Sequence, residues 1–138
     1  MRARWLLFPA LLATTNAASA EEIYCESGPA RLYDGGHFEA RWTVTHPRAR
    51  RVQLPGQTNP LTWCSISYQA VGEMYRPIEI IQAPKNGQAK VSSTYRILYL
   101  ASKLGADELT IRVHWIGRIG DRSSATVRYT IQVIDHPI

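Results

Sequence analysis

Four histidines, His37, His46, His114 and His136, are the side chains in this 138-residue chain best suited to hold a metal or move a proton near neutral pH. A site built on a single element needs such rings at close spacing, and neither H-x-H, H-x-x-x-H nor H-E-x-x-H occurs. A metal centre would have to assemble from separate strands. Its most sensible form joins His37 or His114 to the thioether of Met74, because imidazole and soft sulfur suit copper, with zinc as the other candidate. Nucleophilic catalysis has less to stand on. Ser27, Ser65, Ser67, Ser92, Ser93, Ser102, Ser123 and Ser124 all lie outside a G-x-S-x-G motif, and no S-x-x-K opens a helix. The expectation is a chain that is not an enzyme and carries no cofactor, with a small copper- or zinc-handling protein as the alternative.

Charge and exposed aromatics suggest binding instead. Arg48, Arg50 and Arg51, within HPRARRVQL, form the densest basic cluster. They suit contact with a membrane surface, a polysaccharide or an acidic protein, although a solvated loop and a charge-guarded strand edge produce the same pattern. Arg112 and Arg128 fall at outward phases of two neighbouring strand segments, with Thr110, Thr126 and Thr130 around them, as on a flat polar sheet face. Trp63 is out of phase with Cys64, and Met74 and Tyr75 lie in the loop VGEMYRP, where an aromatic suits a carbohydrate or protein contact. The expected partner is a protein or a cell-envelope polysaccharide.

These residues belong to a chain built for export. MRARWLLFPALLATTNAASA has two arginines, an apolar run and a small-residue end, the three parts of a secretory leader with cleavage expected after Ala20. Its apolar run is too short for a permanent anchor, and no later segment is apolar enough to cross a bilayer, so no stable membrane insertion is expected after cleavage. The destination is the periplasm or the outside of the cell. Losing Arg2 and Arg4 leaves 14 basic against 11 acidic residues, and the net charge falls from +5 to +3. Basicity this mild and scattered argues against nucleic acid. Cys25 and Cys64 are the only cysteines, and an oxidising destination predicts a bridge between them. The loop of about 40 residues that it closes corresponds to roughly 4 kcal/mol of stabilisation in the chain-entropy model.

Alternation of apolar and polar residues dominates the remainder, residues 21–138, which is read as one domain. In HFEARWTVT the inward set is Phe38, Ala40, Trp42 and Val44, opposite His37, Glu39, Arg41, Thr43 and Thr45. DELTIRVHW turns Leu109, Ile111, Val113 and Trp115 inward and His114 outward; SATVRYTIQV turns Ala125, Val127, Tyr129, Ile131 and Val133 inward. GRIGDR between them predicts a long terminal hairpin. TWCSISYQA places Cys64, Ile66 and Tyr68 on one face. IEIIQA and QAKVS flank Asn86-Gly87, which predicts a hairpin with both turn residues at positive φ. TYRILYLA is apolar on both faces and predicts a strand covered on both sides; ARRVQL and EIYC are a shorter strand and an edge. Seven to nine such strands predict an all-β antiparallel sandwich.

The stretch IIQAPKNGQAKV, followed by TYRILYL and LGADELTIRV, resembles the bacterial Ig-like (cadherin-like) module at Pro84, Gly87, Val91, Tyr99, Gly105, Asp107, Leu109, Ile111 and Val113. The resemblance implies an Ig-like sandwich in which Gly87 forms one turn and Gly105 with Asp107 forms another. Leu109 stands where that module has an aromatic, Ala101 where it has a proline, and no acidic D-x-N-D linker is present, so calcium binding is not implied.

Overall fold

The computed structural model describes residues 23–28, 31–50 and 63–138. The expected leader, Arg51 and most of ARRVQL lie outside the described residues. The strands are β1 (Cys25–Ser27), β2 (His37–Thr45), β3 (Cys64–Ser67), β4 (Glu73–Met74), β5 (Glu79–Gln82), β6 (Gly87–Ser93), β7 (Arg96–Ala101), β8 (Gly105–Ile116) and β9 (Arg122–Ile134). Period-2 patterning without a sustained 3.6-residue apolar stripe leaves the described chain strands and two single 3-10 turns.

Two sheets result, a larger one ordered β1-β2-β9-β8-β4, with β5 also on β8, and a smaller one ordered β3-β7-β6. All pairs are antiparallel except β2 with β9, which run parallel over nine residue pairs. Parallel neighbours need a long connection, and here almost the whole domain supplies it. The sheets face each other across a core that contains Trp42, Val44, Leu109, Ile111, Val113, Tyr129 and Ile131 from the larger sheet and Cys64, Ile97 and Tyr99 from the smaller. The Trp42 ring reaches Tyr99 at 5.7 Å and Tyr129 at 5.5 Å between centroids. Every inward residue expected in the terminal hairpin is buried, and the hairpin pairs from Gly105 with Val133 to Ile116 with Arg122.

Several expectations are corrected. Asn86-Gly87 does not close a hairpin, because β5 pairs with β8 while β6 pairs with β7, so the chain crosses between sheets there. Neither residue has positive φ. Gly87 is needed for a close approach instead: a Cβ there would lie 2.6 Å from the Tyr99 hydroxyl and 2.7 Å from the Leu100 carbonyl oxygen. Strand β7 is covered on one face only, with Ile97, Tyr99 and Ala101 buried and Leu98 and Leu100 half-buried on the other. Thr45 is buried rather than outward, its hydroxyl donating to the His136 carbonyl at 2.7 Å. The first edge strand begins at Cys25, later than EIYC suggests.

Cys25 and Cys64 form the expected disulfide, with Cα atoms 5.8 Å apart. It ties β1, at the edge of the larger sheet, to β3, at the edge of the smaller. Such a bridge belongs to an oxidising, non-cytoplasmic environment.

Candidate functional site

The outward face of the larger sheet gathers the most polar side chains. Registers align them in rows: Glu39 beside Arg128 beside Thr110, and His37 beside Thr126 beside Arg112 beside Glu79. A third row runs from Arg41 to Thr130 to Glu108. The alternation that buries Trp42, Ile111 and Val127 forces these neighbours to the opposite side. Arg112 and Arg128 are therefore diagonal neighbours, as expected. Arg128 is held by two carboxylates, its Nη2 2.7 Å from Glu108 Oε1 and its Nη1 3.6 Å from Glu39 Oε1. The Glu108 hydrogen bond, then the charges of Glu108 and Glu39, keep its guanidinium above the ordinary arginine value. Arg41 and Arg112 make no ion pair among the described residues.

At one end of that face His114 departs from its expected exposure. Its ring is on the outward side of β8, yet the residue is only 5% exposed, because the β4–β5 segment folds over it. Nε2 donates to Glu79 Oε1 at 2.6 Å, and the Tyr75 ring meets the imidazole edge-on at 5.8 Å. Arg122 lies 5.2 Å above the Tyr75 ring, and Arg76 approaches Glu79 at 3.6 Å. Met74 pairs with Trp115, one position along β8 from His114, and so faces the core side. His37 stands on β2, separated from β8 by β9. His46 is engaged elsewhere, accepting from Arg48 N–H at Nδ1 and donating to the Ser102 carbonyl from Nε2. The described residues therefore do not bring His37, His114 and Met74 to one point, and no group of three or more His, Cys, Asp or Glu among them is placed to hold a metal.

The other expected contact residues separate into different places. Arg48 is exposed on the 3-10 turn Pro47–Ala49, beside a shallow cleft that also includes Lys103, Leu104 and Asp135. Arg50 is turned inward. Its Nε and Nη2 donate to the Thr45 carbonyl at 3.0 and 2.8 Å, and Nη2 also reaches Cys64 Sγ at 3.3 Å, so the basic cluster is not one solvated patch. Burial lowers the pKa of this guanidinium, partly offset by Tyr24. Trp63 is half-buried beyond β3, with the Lys90 ammonium 4.4 Å from its ring centroid, next to the outward face of the smaller sheet.

Asp107 carries a role that the reading as a turn residue missed. It lies inside β8, buried, and accepts from Lys85 N–H at 2.9 Å, Asn86 N–H at 3.2 Å, Glu108 N–H at 3.0 Å and the Tyr99 hydroxyl at 2.8 Å. The inward phase of Leu109, Ile111 and Val113 extends back to Asp107, which is the signal that marks it. Comparison with models of protein families, with curated proteins and with solved structures finds no match.

Proposed function

We propose that this chain is an exported, non-enzymatic Ig-like module of the periplasm or cell exterior that binds a protein or a cell-envelope polymer through the outward face of its larger sheet. The strand order supports the Ig-like reading. The smaller sheet β3-β7-β6 corresponds to B-E-D of such a sandwich, and β9-β8 with β4 and β5 correspond to G-F-C, β2 lying beside the last strand. The resemblance at Pro84, Gly87, Tyr99 and Asp107 falls on the connection that the Asp107 carboxylate organises.

The observation that carries the binding half is that Arg41 and Arg112 make no ion pair among the described residues, on a face where two carboxylates already hold Arg128. Guanidinium groups on a flat threonine-lined surface suit carboxylate or phosphate groups of an extended polymer or an acidic protein surface. The test is retention of the mature chain on peptidoglycan, on envelope polysaccharide and on immobilised envelope proteins. Replacing both residues, Arg41→Glu with Arg112→Glu, is expected to weaken retention at least about tenfold, since each charge-assisted contact contributes about 1.5–3 kcal/mol. Lys90→Glu on the smaller sheet should change nothing. Equal retention of all forms would place the contact on another surface, and no retention by any form would remove the binding reading.

A further inference from the structure

We infer that the Cys25–Cys64 bridge is a site of directed thiol exchange: an external thiolate attacks Cys25, and Cys64 departs as a thiolate held by Arg50. Two independent features point this way. The first is access. Cys64 is 1% exposed within β3, whereas Cys25 is only partly covered on an edge strand of three residues whose other members, Glu26 and Ser27, are exposed. An attacking sulfur must approach in line with the bond it breaks. Cys25 stands on the edge strand of the larger sheet, partly open to a reagent, whereas Cys64 is enclosed in the core.

The second feature is the guanidinium of Arg50. Its Nη2 is 3.3 Å from Cys64 Sγ, and two hydrogen bonds to the Thr45 carbonyl fix its orientation. A cation contributes little beside a neutral disulfide. When the bond opens toward Cys64, however, the electron pair and the negative charge arrive at the sulfur that the cation already faces, so no reorganisation is needed at that moment. Arginine neighbours lower thiol pKa values, and exchange is faster when the leaving thiol has the lower pKa.

The step balances without a proton. The incoming thiolate forms a new S–S bond to Cys25 as the Cys25–Cys64 bond breaks, leaving the charge on Cys64. A second thiolate then attacks the sulfur of the first reagent, releases Cys25 as a thiolate and completes a two-electron reduction, the reagent ending as its disulfide. The substrate class is therefore a thiol reductant, either a small thiol or a protein dithiol. Opening releases the covalent tie between β1 and β3, while the pairing of β1 with β2 remains.

The experiment treats the full chain with limiting glutathione, and in a parallel arm with a reduced thioredoxin-like dithiol protein. Each reaction is stopped with acid, and the adduct is mapped by peptide mass spectrometry. The expected result is a mixed disulfide on Cys25 with Cys64 free; an adduct on Cys64, or an equal distribution, would overturn the proposal. Reaction in only one arm assigns the physiological source of the thiol. Arg50→Gln is expected to slow opening roughly tenfold, while Arg50→Lys, which keeps the charge, stays within about threefold of the unaltered chain. A purely structural Arg50 predicts the reverse, since loosening its clasp exposes the bridge and speeds reduction. Should Arg50→Gln not fold, the adduct position on the unaltered chain decides alone.

Discussion

Two polar bridges cross the interior between the sheets, both beside Trp42, and they are built differently. Tyr99 from β7 donates to the Asp107 carboxylate of β8, which also accepts three backbone N–H groups. Tyr68, just beyond β3, meets Tyr129 of β9 hydroxyl to hydroxyl. The first is a carboxylate that accepts from four donors, and it shapes the connection from one sheet to the other. The second is a neutral pair with one mutual contact. A buried charge is tolerable where hydrogen bonds satisfy it from several sides, and in that arrangement it organises backbone as well as side chains.

The largest expected effect separates these bridges. Asp107→Ala leaves the N–H groups of Lys85 and Asn86 and the Tyr99 hydroxyl without their acceptor, and should cost about 4 kcal/mol of unfolding free energy in denaturant titration. Asp107→Asn should recover part of that loss, because an amide oxygen still accepts. A loss no larger than that of Tyr68→Phe would erase the distinction between the two bridges.

Alkaline pH tests both bridges together. Burial is the first cause that raises the pKa of Tyr68, Tyr99 and Tyr129, with Tyr129 pushed up to about 12. The folded state therefore retains these protons more tightly than the unfolded state. Their stabilisation is fully present below the ordinary phenol value near 10 and declines above it, for Tyr129 as pH rises toward 12 and for Tyr68 and Tyr99 on into higher pH. For Tyr129 alone this amounts to about 3 kcal/mol, visible as a falling denaturation midpoint between pH 10 and 12. A flat profile over that range would mean that the phenols are solvated.

Tyr68→Phe is the smallest of the three effects. It removes one neutral hydrogen bond and leaves the Tyr129 hydroxyl unpaired in the core, for a loss of about 1 kcal/mol by thermal or chemical unfolding. It should also make the alkaline decline shallower, since one raised phenol is gone.

Phase along a strand is local, so much of the fold was legible from residue order. The inward faces of β2, β8 and β9 follow from alternation alone, and the hairpin of the last two strands from GRIGDR between matched apolar runs. The candidate face was half legible. Arg112 and Arg128 are adjacent because register follows the hairpin, whereas Arg41 joins them only through the parallel pairing of β2 with β9. Arg50 was read as surface charge, and its turn toward Thr45 and Cys64 depends on where Cys64 arrives in space. His114 keeps its outward phase yet is covered by Tyr75 and Glu79, residues whose path over β8 no spacing in the chain announces.

The amino-acid order by itself determined that the chain would be strands, which side of each long strand would be apolar, and that its only two cysteines would pair. Those properties depend on neighbours two residues apart and on the count of thiols. Only the tertiary structure decided that β5 and β6 enter different sheets, that Asp107 becomes a hub and that Arg50 clasps the bridge. Each of these outcomes requires groups distant in the chain to meet, and burial and hydrogen bonding act on groups brought together in space, whatever their separation in sequence.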